Sequence, residues 1–481
     1  MIPLKQKQYR DWSKGTWNDI QNVLAPENSV KLGLNLNSND ELGSLVSRMG
    51  TTDVDAQIIN NKPILGLHNF RDSVGTGDEL FAVLSDGANN DIYDALDGTK
   101  SLEDDTKDLK TRFLTYLDSC LRLNGTDQPK SYTGAAWVDT AGTFDLDNMP
   151  QTAKYAIEFK DRVYVAGMVA DPDRVDYSGI ANSVTRAVSW TVSNGFIIFE
   201  QEDGGGGITG LAKVPGYLLV FKQRTLKRYD GSSAYPEDMI KQGAPSQEAI
   251  TVAKGICFWV NENGAWATSG GSPKKISDFM VDNIIKSVSA ANLANVASGT
   301  DEEHIYWSFA SVTISGNTYT NVVLKYNLYN TTWDVRQYPT LHRVYAEYVD
   351  SNDNVFLVTG DDDGYVLKMD TGNTDNATAI VYSMETQDMD FGLRMHKKDI
   401  NRMVVITENV SKGMLMWRNT HEDEDWKEVG PINKEVTEFQ GMSLRGNYFN
   451  FKITESVSTG QAKILGFEFP NGGVVIHDNV E

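Results

Sequence analysis

Cysteine is nearly absent: 481 residues contain two, Cys120 and Cys257. Two thiols this far apart in sequence supply neither a disulfide framework nor the ligand set of a structural zinc site. Both stand in apolar stretches, YLDSCLRL and GICFWV, and read as small buried hydrophobes rather than reactive thiols. Long hydrophobic runs are also missing. No apolar stretch approaches the roughly 18 residues that cross a bilayer, and the opening MIPLKQKQYRDW lacks the apolar region of a signal peptide. The expectation is synthesis in the cytoplasm with no membrane span. Histidine is scarce. His68, His304, His342, His396, His421 and His477 include no two at metal-ligand spacing and no H-E-x-x-H. No G-x-S-x-G elbow presents a serine nucleophile. The Gly204–Gly207 run lacks the Gly-Lys-Ser/Thr ending of a phosphate-binding loop and reads as a flexible connection. Asn330 and Asn376 begin glycosylation triplets that carry no weight without a secretory signal.

Positive charge is the last shortage. Lys and Arg number 44 against 66 Asp and Glu, a formal net charge of −22. Tight non-specific binding to nucleic acid depends on cations at phosphates, so this balance disfavours it. It favours solubility, and it permits a surface that DNA slides past without sticking.

Strands with turn chemistry between them are abundant. YAIEFKDRVYVAG at 155–167 alternates apolar residues around Lys160-Asp161, the period of a half-buried hairpin. GYLLVFKQRTLKRYDG from 216 and GICFWVNENGAWATSGG from 255 repeat the pattern, the second around an Asn-rich turn. HIYWSFASVTISGNTYTNVVLKYNLYNTTWDV from 304 gives two strands around Ser315–Asn317, and RVYAEYVDSNDNVFLVTGDDDGYVLKMD from 343 gives three. ELFAVLSDGANNDIYDALDG at 79–98 is a further hairpin. TRFLTYLDSCLRLNG at 111–125 fits helix or strand; the Asn124-Gly125 turn and the following YTGAAWV favour strand. The later units begin at 155, 217, 255, 304 and 343. Propeller blades recur at roughly 40–50 residues, so the uneven spacing predicts a drifted propeller without a shared blade signature. Trp259, Trp266, Trp307 and Trp333 lie on or beside strands and are expected between blades. SDFMVDNIIKSVSAANLANVA predicts one helix, capped by Ser277 or Asp278. Beyond 376 the strands lengthen and their loops become charged, as in HEDEDWKE at 421–428. The fold class expected is mainly β, an irregular β-propeller with a C-terminal antiparallel β-sandwich. Its parts are an N-terminal arm with the first strands over 1–52, a degenerate propeller over 53–375 with an inserted helix near 278–297, and the sandwich over 376–481.

No catalytic, cofactor or metal constellation emerges, and the chain is not expected to be an enzyme. The Asp361-Asp362-Asp363-Gly364 turn clusters the hard oxygens that calcium takes, but its spacing is not that of an EF-hand loop, and a solvated turn is the simpler reading. Propellers do host glycosidases, but the repeated S-x-D-x-G-x-T-W turns of sialidases are missing.

The order of the segments resembles the tail nozzle, or tail-stabilisation, proteins of short-tailed bacteriophages. APENSVKLGLNLNSNDELGSLVSRMGTT at 25–52 is similar to their opening, an Asn-rich strand before G-x-L-x-x-R-x-G, here Gly43, Leu45, Arg48 and Gly50. FLTYLDSCLRLNGTDQPKSYTGAAW, YLLVFKQRTLKRYDG with ICFWVNENGAW, NVVLKYNLYNTTWDV closing on Trp333, and MDFGLRMHKKDINRMVV at 389–405 resemble successive blades and the start of the sandwich. Each motif alone is degenerate; their order is the specific part. The resemblance implies a structural virion protein of the viral tail, assembled in the host cytoplasm. It implies a homohexameric ring below the portal and head–tail adaptor ring, continuing the DNA ejection channel and docking tail fibres or a tail-tip protein. It implies no catalytic residue. DNA would pass without specific binding, along a lumen expected to be acidic. The alternative is a carbohydrate-binding or glycosidase-like propeller acting in receptor recognition, marked by Asp, Glu, Arg and Tyr side chains converging at the propeller centre.

Overall fold

The structure is a computed structural model that describes residues 2–19, 24–38, 40–41, 43–73, 78–140, 142–190, 195–199, 204–232, 235–419, 425–457 and 460–477. The chain is mainly β, and its central part is a β-propeller.

The blades are made by hairpins whose turns suit the twist of their strands. Lys160 and Asp161 both have positive φ, 49° and 58°, as do Leu117 and Asp118, 53° and 58°, the arrangement of a tight two-residue hairpin turn. Blade 1 runs Ile64–Phe70, Glu79–Ser85, Asn89–Asp94 and Lys100–Thr106. Blade 2 runs Arg112–Tyr116, Ser119–Leu123, Lys130–Tyr132 and Trp137–Val138, so the ambiguous 111–125 segment is a hairpin. Blade 3 runs Tyr155–Phe159, Arg162–Ala166, Arg174–Tyr177 and Gly195–Ile198. Blade 4 runs Ile208–Val214, Tyr217–Lys222, Leu226–Tyr229 and Glu237–Ile240. Blade 5 runs Ile250–Ala253, Ile256–Asn261, Gly264–Thr268 and Lys274–Lys275. Blade 6 runs Ala297–Thr300, His304–Ile314, Asn317–Asn327 and Trp333–Gln337. Blade 7 has His342–Val349, Val355–Asp361 and Val366–Lys368, and takes its outer strand, Thr52–Asp53, from before blade 1.

Six of these blades are separate four-stranded sheets; blade 6 is the four-stranded end of a larger sheet. The inner strands, beginning at 64, 112, 155, 208, 250, 297 and 342, neighbour one another in turn, and the last returns to the first. A twisted four-stranded sheet cannot bury both faces alone, so each blade needs two neighbours. A separate apolar cluster fills every gap. Phe70, Phe81, Cys120 and Tyr132 pack between blades 1 and 2. Phe221, Cys257 and Trp259 pack between blades 4 and 5, with Trp266 against them. Phe258, Trp307 and Trp333 pack between blades 5 and 6. Ile64, Leu84, Val344 and Val358 seal blade 7 to blade 1. Both cysteines are buried, and burial pushes both thiols far above their ordinary value.

The sandwich is woven from both ends of the chain. One sheet orders Ile2–Pro3, Val474–Ile476, Lys398–Glu408, Lys463–Phe469, Leu45–Ser47 and Leu36–Ser38, with Lys7–Tyr9 and Val436–Gly446 paired at its sides. The facing sheet orders Val30–Leu34, Thr378–Thr386, Asn450–Val457, Gly413–Arg418 and Lys427–Ile432. Val30–Leu34 also pairs in parallel with the outer strand of blade 6 at Leu34 and Val335, so propeller and sandwich share one ten-stranded sheet. Trp12, Leu36, Leu45, Met403, Phe451 and Phe467 lie in the sandwich core. The segment expected as an arm over 1–52 thus supplies sandwich strands and, at Thr52, the propeller's closing strand.

The single helix expected near 278–297 is a correction. Two short helices form instead, Asp282–Lys286 and Ala290–Leu293, with Val281 and Ser289 as N-caps. The Ser277 hydroxyl is committed elsewhere: it donates to Asp282 Oδ1 (2.6 Å) and accepts from the Ala265 N–H (3.0 Å). The Ser289 side chain accepts from the Asn292 N–H and starts a new helix.

Gly50 marks the tightest crossing. A Cβ built there would lie 1.9 Å from the Thr374 carbonyl oxygen, while the Gly50 N–H donates to Gly372 and Thr51 to Thr374, both at 3.0 Å. Gly50→Ala is expected to lower the stability by at least about 1–3 kcal/mol, read as a lower urea midpoint. Gly271→Ala, which meets nothing within 4 Å, is the control expected to leave it unchanged.

Candidate functional site

Arg48 leaves the strand Leu45–Ser47 and enters the junction of blade 6, blade 7 and the sandwich. Its side chain is fully buried, as is nearly all of Asp375, and the two form a paired contact at 2.8 and 2.5 Å. Every other direction is also used: Nε donates to Asn35 Oδ1 (2.8 Å), Nη2 to the Gln337 carbonyl (2.8 Å), and the guanidinium lies over the Tyr338 ring at 4.0 Å. A second buried arginine lies beside it. Arg336 binds Asp370 Oδ1 (2.8 Å) and Asn37 Oδ1 (2.9 Å). The Tyr306 hydroxyl lies 2.9 Å from carboxylate oxygens of both Asp370 and Asp301. Ser38 donates through N–H and hydroxyl to Asp334 Oδ1, at 3.0 and 2.7 Å. Residues 35–48, 301–338 and 370–375 therefore meet in one polar clasp. Buried ion pairs gain little over apolar packing but cost much when one partner is removed, which makes them fixers of register.

His342 sits against this clasp. Its Nδ1 is 3.1 Å from the Tyr345 hydroxyl, its ring is 4.3 Å from that of Tyr338, and its buried Nε2 has no partner. Burial, with Arg48 and Arg336 nearby, pulls its pKa down from 6.5 to about 3. It lines a cavity of about 170 Å³ with Asp361, Asp375 and Asn376.

The second constellation is on the propeller axis. A cavity of about 240 Å³ is walled by Leu65–His68 of blade 1, Arg112 and Phe113 of blade 2, Tyr155 of blade 3, Gln247–Glu248 before blade 5, Ser298 of blade 6 and Tyr345 of blade 7. A short 3₁₀ turn, Gln247–Ala249, carries Glu248 into it. Glu248 reaches Arg112 at 2.5 Å and Lys110 at 3.5 Å. Blades 2 and 5 are three steps apart round the ring, so this contact crosses the bore. Burial raises the Glu248 pKa, but Arg112 and Lys110 outweigh it and hold the carboxyl below its ordinary range. Arg112 also lies over the Tyr155 ring at 4.9 Å. Gln247 bonds the free inner edge of blade 4, accepting from the Leu211 N–H (2.7 Å) and donating to its carbonyl (3.0 Å). Beyond this level a wider cavity of about 780 Å³ opens against Ile157, Phe159, Val214 and Val252 of blades 3–5.

The axial wall thus brings together Glu, Arg and Tyr, but with one carboxylate, already held between two cations. A hydrolytic pair needs two. The Asp361–Gly364 turn is solvated only in part: the Asp362 side chain is 37% exposed, but Asp361 is 1% exposed. Its Oδ1 accepts from the N–H groups of Asp363 (3.0 Å) and Tyr365 (2.8 Å), and Asp362 accepts from Leu341 (2.9 Å). The Asp361 and Asp362 carboxylates are spent on their own hairpin. Among the described residues no three His, Cys, Asp or Glu side chains are placed to hold a metal, and no helix is long and apolar enough to cross a membrane. His421, Glu422 and Asp423 lie outside the described residues. Of the clasp, only Arg48 stood out in sequence, through the G-x-L-x-x-R-x-G match. Asp375, Arg336 and Asp370, like Arg112 and Glu248, lie in stretches with no motif.

No family model and no curated protein matches the chain. Solved structures do. YCF48 from Cyanidioschyzon merolae matches with 9% identity and a TM-score of 0.40, over 66% of this chain and 98% of that one. The extracellular domain of the putative one component system BT4673 from B. thetaiotaomicron matches with 12% identity and a TM-score of 0.42, over 88% and 60%. The N-terminal domain of Nup159 matches with 9% identity and a TM-score of 0.39, over 71% and 99%.

Two outcomes are expected at the clasp. Arg48→Ala strands Asp375 and costs about 3–5 kcal/mol, measured by chemical denaturation. His342 has a folded pKa below its unfolded one, so its contribution is complete above pH 6.5 and is lost as the pH falls toward 3. Over that window the unfolding free energy should fall by up to about 1.4 kcal/mol per pH unit from this group, and His342→Gln should flatten that part of the slope.

Proposed function

We propose that this protein is a structural assembly subunit of a bacteriophage tail, a ring-forming nozzle component below the portal and adaptor, and not an enzyme. The observation that carries the reading is mechanical. A closed propeller and a sandwich share one sheet and one buried polar clasp, so the chain is a stiff body with broad side faces and a bore crossed by Glu248 and Arg112. Such bodies suit a ring whose subunits meet over large, fixed surfaces. The order of motifs read from the sequence supplies the tail context. DNA, in this reading, runs along the lumen between subunits and not through a propeller. A net charge of −22 keeps phosphate from lodging on the way. The partners are other copies of the chain, the adaptor ring, and fibres or a tip protein.

Carbohydrate recognition is the second reading, and one observation favours it: Arg112, Glu248, Tyr155 and Tyr345 converge on the axis. With one carboxylate there, it would be binding without cleavage.

Mass measurement of the purified protein, alone and mixed with a portal–adaptor assembly, decides between them. The expected result is a ring that joins the assembly. A protein that stays monomeric in every condition and never joins overturns the nozzle reading. Saccharide binding abolished by Arg112→Ala would then favour the second. A ring whose lumen is basic and clamps DNA would overturn the proposed sliding surface.

A further inference from the structure

We propose that the cavity at the foot of the clasp is a binding site for a small primary ammonium compound. This cavity of about 170 Å³ lies on the seam where the propeller closes. Thr51 reaches it from just before the closing strand, Tyr338 from the link between blades 6 and 7, His342, Asp361 and Tyr365 from blade 7, and Asn376 from the segment that follows. Exposed Pro339, Asn376 and Thr378 form its mouth. His342 and Asp361, each 1% exposed, form its floor.

Two features of the floor point to a ligand. The first is the His342 ring. Its Nδ1 edge is taken by the Tyr345 hydroxyl, and its Nε2 is buried without a partner. Buried polar atoms are rarely left in that state, so something accompanies the ring. The second is the charge of Asp361. Its Oδ1 accepts from the N–H groups of Asp363 and Tyr365, and the Thr340 side chain adds another hydrogen bond. All three donors are neutral, and a carboxylate has room for about four. No Lys or Arg among the described residues forms an ion pair with Asp361; Arg343 turns instead to Asp362, at 4.0 Å. Burial accordingly pushes the Asp361 pKa up. Asp375 in the same wall is matched by Arg48, so the open charge is that of Asp361.

A cation that donates hydrogen bonds answers both features. With Nδ1–H donating to the Tyr345 hydroxyl, the His342 Nε2 presents a lone pair, and a primary ammonium brings three donors together with its charge. Water would satisfy Nε2 but leave the carboxylate charge unmatched. A metal ion is disfavoured, because no three His, Cys, Asp or Glu side chains among the described residues are placed to hold one. Volume sets the size: an engineered cavity of about 150 Å³ takes benzene, so this pocket suits a ligand of about four to six heavy atoms. The ligand would touch both flanks of the seam, where the Asn376 N–H donates to the Thr51 carbonyl at 2.9 Å. Occupancy therefore stabilises the closed ring by mass action.

The test is calorimetric titration of the full chain with n-butylammonium chloride, with thermal unfolding followed at each concentration. The expected result is saturable binding at a single site and an unfolding midpoint that rises with it. Tetramethylammonium chloride, which has the charge but no N–H, 1-butanol, and potassium chloride at equal ionic strength should give neither. Asp361→Asn keeps an oxygen for the N–H groups of the turn, and His342→Phe keeps a ring against Tyr338. Each should weaken the amine at least tenfold, whereas Glu237→Gln, an exposed carboxylate on blade 4, should leave its affinity unchanged. No saturable binding of the amine, equal binding of any of the three control solutes, or unaltered affinity in folded Asp361→Asn would each overturn the proposal. Should the pocket variants fail to fold, the solute series decides alone.

Discussion

The buried pair of Arg48 and Asp375 holds the two halves of this molecule in register. The charges belong to segments that frame the propeller, one just before its closing strand Thr52–Asp53 and one just after blade 7. A ring of blades is stable only when closed, because each interface cluster needs both its walls. Here the closing strand is two residues long and carries little by itself. Closure is secured by what surrounds it: the Gly50–Thr374 crossing, the Arg48 hydrogen bonds to Asn35 and Gln337, and the Arg336–Asp370 pair alongside. A charge without its partner at this depth is costly, so alternative registers are penalised more than the correct one is rewarded.

Hairpins were legible in the sequence, because alternation and turn residues are local signals. The 155–167 and 255–271 hairpins are cases where pattern and turn agree. Blade register was not. Units read as starting at 217, 255 and 304 are second strands or nearly so; the inner strands begin at 208, 250 and 297. Inner strands such as Ala297–Thr300, sequence ASGT, alternate in burial but carry no large apolar side chain that would mark them in the sequence. Mixing first and second strands made a fairly regular repeat look uneven. The sandwich strands Leu36–Ser38 and Leu45–Ser47 gave still less, being three residues each, buried on both faces, and in a sheet with partners more than 400 residues away. Glu248 and Arg112 become a pair only when seven blades are bent into a circle, a relation no spacing in the chain encodes.

The two polar constellations divide the work of rigidity. The clasp fixes propeller to sandwich at the rim. The Glu248 contact ties opposite walls of the bore at its centre, where inner strands have no further sheet to lean on. Both are built from charges held by fixed partners. This pattern suits a part that bears load, since each ion pair resists sliding of its element along the next while the apolar clusters resist separation.

The weaving of the first strands into the last has a consequence for how the chain is made. Leu45–Ser47 pairs with Lys463–Phe469, and Ile2–Pro3 with Val474–Ile476. Ribosomes add roughly 5–20 residues per second, so these early strands wait some tens of seconds for partners that lie more than 400 residues further along the chain. Blades 1 to 7 can stack in order as they emerge and the circle can lock once residues 366–375 have appeared, but the sandwich cannot be completed until Lys463–Phe469 and Val474–Ile476 follow. Until then Leu36, Leu45 and Val46 are apolar strands without a sheet, and a nascent chain of this design depends on their not finding the wrong one.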